Sequence, residues 1–259
     1  MAPRIHPTAV VAPGAKLAPD VRIGPYAVIG PEVELAASVE IGPHATLSGR
    51  TSVGERTRIF ASCVIGTEPQ IVGFAGEPTR LVIGSDNIIR EFAAIHVGSS
   101  KGVGCTRIGD GNYVLNNVHV AHDCQIGSNC VLASYSALAG HVVVEDHAVF
   151  GAMTGVHQHV RIGESAFTGA NSMISKDAPP FARVAGDRAR FAGLNRVGLE
   201  RRGFSEATLA ALKHAFHVLF QSKLRLDQAL ERVEAECGGV PEVSRLLAFL
   251  RRSERGFIR

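Results

Sequence analysis

The chain has 259 residues, 46% of them hydrophobic but only 6% aromatic, with no Trp and 28 Gly. That much glycine beside so little aromatic bulk argues against a helical bundle or an aromatic-rich sandwich and for a turn-dense fold with a narrow aliphatic core; with 20% charged residues, the chain also has too much apolar content for disorder. The net charge of +3 is dispersed except near the C-terminus and has no aromatics interleaved with it, so nucleic acid is not an expected partner.

At the N-terminus, MAPRIHPTAV lacks the apolar core of a signal peptide, and no later run reaches the ~18 apolar residues of a membrane span. Neither secretion nor integral membrane association is expected. The cysteines Cys63, Cys105, Cys124, Cys130 and Cys237 are odd in number and form no CxxC pair. They predict reduced thiols in a cytoplasmic protein, with no disulfide framework and no zinc knuckle.

From Ile5 an aliphatic residue recurs at every sixth position, through Val11, Leu17, Ile23, Ile29, Leu35, Ile41, Leu47, Val53 and Ile59 to Ile65. The frame returns at Ile83, Ile89 and Ile95. After a slip of one residue it runs from Ile108 through Val114, Val120, Ile126, Leu132, Leu138 and Val144 to Ile174, and only Phe150 and Thr168 in the whole series are not aliphatic. A period of six fits neither a helix nor a hairpin alternation. It fits a short strand plus a turn, repeated so that the strands stack in parallel sheets with the aliphatic residue pointing inward.

The two frame breaks predict loops. Positions 65 to 83 are expected to span a whole coil holding TEPQIVGFAGEPTR, and positions 95 to 108 leave one residue beyond two hexads, with SSKGVG in a protruding loop. The hexads stop near Ile174, where KDAPPF follows. From about Gly203 the apolar spacing becomes helical: Leu209, Leu212, Phe216, Leu219 and Phe220 behind an N-cap at Ser205, then Leu226, Ala229, Leu230 and Val233 closed by Gly238-Gly239, then Val243, Leu246, Leu247 and Leu250 after Pro241. The expected organisation is a parallel β-helix over 1–186 followed by a small α-helical domain over 187–259.

Histidines cluster at His119, His122, His141, His147, His157 and His159. Residues one coil of eighteen apart lie in neighbouring strands, roughly 4.8 Å apart. His122 therefore stacks with Gly140 and Gln158, and Asp123 with His141 and His159. Three readings are open for this polar column: solvent-facing histidines, a metal site, or a neutral imidazole acting as general base beside a carboxylate. A base next to an unencumbered glycine N–H suits acyl transfer through an oxyanion.

The motifs NNVHVAHDCQIG, LAGHVVVEDHAVFGAMTGVHQ, AGEPTR and GLERRGFS through RSERGFIR occur in an order and spacing that resemble the UDP-N-acetylglucosamine O-acyltransferases that begin lipid A synthesis, within the hexapeptide-repeat acyltransferases. The resemblance covers residues 1–259. It implies a left-handed parallel β-helix with three hexads per coil and a homotrimer whose active sites lie in the clefts between adjacent β-helices. The implied activity is transfer of an (R)-3-hydroxyacyl group from acyl carrier protein to the sugar 3-hydroxyl, without a metal or other cofactor. By the same resemblance His122 is the general base, Asp123 its orienting carboxylate and Gly140 the oxyanion donor. His119, His141, His157 and Gln158 line the substrate cleft, and Asn195, Arg201 and Arg202 hold the nucleotide and its phosphates, a task that suits an arginine fork. For Arg201-Arg202 a solvated helix start is the competing reading. Arg251, Arg252, Arg255 and Arg259 are candidates for docking the acidic carrier protein, or a solvated helix face.

This chain departs from the family pattern at Ile71 and Gly73, where an Asp and a Lys commonly contact the sugar, at Val97 in place of an Arg, and at Val197 in place of a Glu. Ala170 stands where some members carry a chain-length-setting Gly, which implies a shorter or tighter acyl pocket. Thinned polar recognition around the sugar opens a second reading, the same mechanism on another acceptor such as a UDP-diamino sugar acylated on nitrogen. A non-catalytic paralogue that binds carrier protein or nucleotide sugar, and a metal-dependent hydratase, are the readings from other classes.

Overall fold

The structure is a computed structural model that describes residues 2–259. Each of the aliphatic frame positions falls in its own strand, from Arg4–Ile5 through Met173–Ile174. The strands distribute in rotation over three sheets, so the chain winds as a triangular prism. Face A begins with Arg4–Ile5 and holds 11 strands, face B begins with Val10–Val11 and holds nine, and face C begins with Lys16–Leu17 and holds eight. In regular coils the paired residues are one coil apart and parallel, as in Arg4 with Arg22 and Tyr113 with Val131.

The hexad has a simple physical logic. The frame residue and the residue two before it point inward, so Val21 with Ile23, Ala27 with Ile29 and Ala45 with Leu47 are all buried, while the residue between them faces out. Three positions after the frame residue the chain turns a corner in the left-handed backbone region, at φ 58° for Tyr26, 59° for Asp123 and 64° for His141. One position earlier, the N–H points away from the neighbouring coil. Proline takes that position in the early coils, at Pro7, Pro13, Pro19, Pro25, Pro31 and Pro43, because there is no ladder bond for it to break.

The structure corrects the coil arithmetic at both frame breaks. Ile65 and Ile83 lie in the consecutive strands Val64–Thr67 on face B and Arg80–Ile83 on face C. The interval is therefore one hexad step carrying twelve extra residues, not a whole coil, and the frame survives because twelve is a multiple of six. Ile95 and Ile108 are likewise on consecutive strands, Ala94–His96 and Cys105–Ile108, with seven extra residues between them. Both loops leave the same edge of the prism, the corner between faces B and C.

The hexads end at Met173–Ile174, but the sheet does not. Ala182–Ala185 pairs in parallel with Phe167–Thr168 on face A, and Arg190–Leu194 adds an antiparallel strand beyond it. The expected division at 186/187 thus falls between two paired strands. Four helices follow: α1 (Arg196–Arg201), α2 (Glu206–Gln221), α3 (Leu226–Cys237) and α4 (Pro241–Arg251). Ser205 caps α2 through a hydrogen bond from the Thr208 N–H, Gly238 closes α3, and Pro241 opens α4 at its first position. Arg201 and Arg202 stand at the C-terminal end of α1, not at a helix start. Cations are favoured there by the helix dipole. The buried carboxylate of Asp177 accepts from Ser253 Oγ at 2.7 Å and from the Arg161 N–H at 2.8 Å, tying the C-terminal segment to the prism.

Candidate active site at the B–C corner

Four consecutive coils place His96, His119, His122, Asp123, Gly140, His141, Gln158 and His159 at or beside the B–C corner. His122 and Asp123 turn the corner after the strand His119–Val120, and Gly140 and His141 turn it one coil later. The His122 Nδ1–H donates to Asp123 Oδ2 at 2.8 Å. This fixes the imidazole as the tautomer with a free lone pair on Nε2, which has no hydrogen bond among the described residues. A Cβ built on Gly140 would lie 2.5 Å from His122 Cε1 and 2.6 Å from Nε2, so the ring lies directly over a backbone that only glycine can provide. The Gly140 N–H occupies the corner position whose N–H makes no ladder bond, and it donates to nothing among the described residues. A lone pair and an unpaired backbone donor thus stand side by side, as acyl transfer through an oxyanion requires.

The Asp123 side chain is fully buried. Ser99, on the seven-residue loop, donates its Oγ–H to Asp123 Oδ2 at 2.6 Å and its backbone N–H to both carboxylate oxygens at 3.1 and 3.2 Å. The Asp123 N–H in turn donates to Thr106 Oγ1 at 2.8 Å. Burial alone would push the Asp123 carboxyl up, but the hydrogen bonds from Ser99 and His122 outweigh it and hold the group below the usual carboxylate range. Asp123 is therefore an anion at neutral pH. Ser99 and Thr106 carried no signal in the sequence, since a frame slip locates a loop without saying where it folds back.

The histidines of the corner stack in two groups. His141 meets His122 edge-on at 4.9 Å between ring centroids and lies flat against His159 at 4.4 Å, while His119 packs 5.2 Å from His96. Burial lowers the basicity of His96, His119 and His141. The twelve-residue loop joins the same corner where the Glu68 carbonyl meets His96 Nδ1 at 2.8 Å and Glu77 accepts from Ser100 Oγ at 3.0 Å. Ile71 and Gly73 sit on the outer part of that loop, and Gly73 has nothing within 4 Å of where a Cβ would be. Val97 is buried beneath the corner, whereas Val197 on α1 is exposed.

His122, Asp123 and His141 also hold donor atoms within 4.8 Å of one another, a spacing that could accept a metal ion. The oxygen shared by the two rings already accepts from Ser99 Oγ and His122 Nδ1. That is the arrangement of a hydrogen-bonded acid–base pair rather than of lone pairs converging on a cation.

The same corner continues one coil further, and the rest of the expected site residues lie elsewhere on the single chain. His157 and Gln158 are exposed one coil beyond Gly140, and the Arg255 guanidinium reaches His157 Nδ1 at 3.2 Å. Asn195 caps α1, accepting from the Gly198 N–H at 3.3 Å and donating to the Ser165 carbonyl at 2.9 Å. Arg202 pairs with Glu164 at 3.1 Å and contacts Ser165 Oγ, while Arg201 is exposed with no side-chain partner among the described residues. Asn195 and Arg202 are thus held at the corner between faces C and A, not at the histidine corner. Ala170 is at the third corner, between A and B, packed so that a Cβ on Gly151 would lie 2.4 Å from its nitrogen.

The chain is similar to known proteins over nearly its whole length. Residues 105–140 match the family model of bacterial transferase hexapeptides (six repeats), and residues 177–258 match that of UDP N-acetylglucosamine O-acyltransferase, domain 2. A Myxococcus xanthus protein named acyl-(acyl carrier protein)-UDP-N-acetylglucosamine O-acyltransferase is 53% identical over 99% of both chains, and one of the same name from Thiobacillus denitrificans is 48% identical over 98% of this chain and 99% of its own. Among solved structures, LpxA from Acinetobacter baumannii superposes with a TM-score of 0.95 at 37% identity, covering 98% of this chain and 99% of that one. UDP-N-acetylglucosamine acyltransferase from Francisella novicida superposes with 0.95 at 34% identity over 98% and 94%. The prism is the left-handed parallel β-helix of these structures, and the chain belongs to the acyl-(acyl carrier protein)-UDP-N-acetylglucosamine O-acyltransferase family.

Proposed function

We propose that this protein transfers an (R)-3-hydroxyacyl chain from acyl carrier protein to the 3-hydroxyl of UDP-N-acetylglucosamine, the first step of lipid A synthesis, with His122 as general base. The observation that carries the reading is the buried Asp123–His122 pair with Nε2 beside the free Gly140 N–H. Nε2 takes the proton of the sugar hydroxyl as its oxygen attacks the thioester carbonyl carbon. The Gly140 N–H donates to the resulting oxyanion. Collapse breaks the carbon–sulfur bond, and the carrier's sulfur leaves with the proton now on His122. Asp123, an anion throughout, stabilises the intervening imidazolium.

The positions of the other residues support a site completed by assembly. Asn195, Arg201 and Arg202 belong to the C–A corner and its adjoining helix, while His122 belongs to the B–C corner. In a threefold homotrimer, adjacent prisms bring one copy's B–C corner against a neighbouring copy, where arginines suit the nucleotide phosphates. His119, His141, His157 and Gln158 then line the sugar and acyl path. An acyl chain crossing face B from the histidine corner toward Ala170 runs over the small outward residues Ala137 and Gly155, next to exposed Met173. Carrier docking falls to the C-terminal arginines. Arg251 and Arg259 line a crevice of about 1090 Å³ together with Lys176, Arg188 and Arg190. No helix is long and apolar enough to cross a membrane, and we place the enzyme in the cytoplasm, where its carrier-borne donor is made.

Eight relatives at 46–53% identity are named O-acyltransferases, which does not favour a nitrogen acceptor despite Ile71, Gly73, Val97 and Val197. Mass spectrometry of products from hydroxyacyl carrier proteins mixed with UDP-N-acetylglucosamine and a UDP-3-amino sugar tests the reading. The O-acylated product should dominate; preferential N-acylation, or no turnover of either sugar, would refute it.

A further inference from the structure

The seven-residue loop is built to hold one side chain in place. At its neck, a Cβ on Gly98 would lie 2.2 Å from the Cys105 nitrogen, and Arg80 bridges both ends, its carbonyl accepting from the Gly98 N–H and its own N–H donating to the Gly104 carbonyl, each at 3.1 Å. At its tip the Gly102 N–H turns back onto the Ser99 carbonyl at 3.1 Å, and a Cβ on Gly102 would lie 2.4 Å from Asp123 Cγ and 2.6 Å from His141 Cε1. The loop is thus clamped at both ends against the catalytic corner, and Ser99, 2% exposed, supplies every hydrogen bond to the Asp123 carboxylate, among the described residues, that does not come from an imidazole.

The carboxylate stands between two rings that compete for it. His122 Nδ1 is 2.8 Å from Oδ2, and His141 Nδ1 is 3.9 Å from the same oxygen. Rotation of the Asp123 side chain toward His141 would leave His122 without its orienting acceptor. Three hydrogen bonds from Ser99 set that rotation, and because both donors are buried, no water can substitute for them cheaply. The other ionisable groups around the pair are His159, stacked on His141, and His96, which feels the charge of His122.

We propose that Ser99 is a positioning residue of the acyl-transfer reaction, its hydroxyl holding Asp123 directed at His122 rather than at His141. This rests on the assignment of His122 as base.

The test is steady-state kinetics of Ser99→Ala and Ser99→Thr with acyl carrier protein and UDP-N-acetylglucosamine. Ser99→Ala should lower kcat roughly 10- to 100-fold, the worth of one hydrogen bond to a charged group. Both KM values should stay within about twofold, because Ser99 touches neither substrate. Ser99→Thr, which keeps the hydroxyl, should recover most of kcat, and placing Ser99→Ala on an Asp123→Asn background should cost less than about twofold more. Parental kcat in Ser99→Ala would overturn the proposal, as would an undiminished loss on the Asp123→Asn background, which would mark a merely structural serine. If His122→Ala retained activity the assignment of the base would fail instead, so the two failures are distinguishable.

Discussion

Gly140 concentrates the chemistry of the site into one missing methyl group. A side chain there would occupy the space of the His122 imidazole, 2.5 Å from its Cε1, and displace the base from the N–H it works beside. Gly140→Ala is therefore expected to fold, since its corner precedes the left-handed position rather than occupying it, and to lose roughly 10²–10³-fold in kcat, the size of an oxyanion donor's contribution. Kinetics with a thermal-melt control check this, and a variant within a few-fold of the parent would contradict it. His122, Asp123 and Gly140 were legible in the sequence because the eighteen-residue coil converts sequence separation into stacking. Ser99 was not. Its loop has no period, and only the folded chain shows its hydroxyl turned back onto Asp123.

At the level of the element, the hexad is a balance of three demands: an inward aliphatic, a small inward neighbour, and a corner in left-handed backbone. The frame residues fill the prism without alternative partners, so truncating one leaves a cavity that a coil hydrogen-bonded above and below cannot close. Leu132→Ala, at a fully buried frame position, should cost about 2–5 kcal/mol, read as a lower urea midpoint with an unchanged slope. A cost under about 1 kcal/mol would show that the prism interior is plastic. The period announced every strand of the regular prism and three of the four helices, since each repeats a burial rule often enough to be counted. It missed the hairpin partner Arg190–Leu194 and the six-residue α1, which are single elements with too few turns to establish a period. It also miscounted the coils at the two loops, because an insertion of twelve residues leaves a six-residue frame intact.

Across the whole molecule, the two sets of expected substrate-binding residues occupy different corners, and the proposed trimer joins them. Mixing His122→Ala with Arg201→Ala protein under conditions that exchange subunits should restore activity to about a quarter of the sites by random assortment, each restored site taking His122 from one copy and Arg201 from another. Mixtures no more active than their parts would place both residues in one copy's site. Acid stability follows from the buried histidines. Burial holds His96, His119, His141 and His147 below the ordinary imidazole value, so as pH falls the unfolded chain takes up protons first. Their effect is absent above the unfolded value of about 6.5 and destabilises the fold as pH drops through it toward the lower folded values. The depressed Asp123 contributes stability that is complete above about pH 3.9 and lost as pH falls through its folded value. The urea midpoint should therefore fall between about pH 8 and about pH 5.5; a midpoint that holds or rises would contradict the burial of these rings.

The central claim is that His122 is the base of an acyl transfer. The direct measurement is turnover of hydroxyacyl carrier protein and UDP-N-acetylglucosamine by folded His122→Ala, with the parent alongside. A fall in kcat of about 10²–10⁴-fold with both substrates still bound is expected; activity within a few-fold of the parent would contradict the assignment of His122 as base.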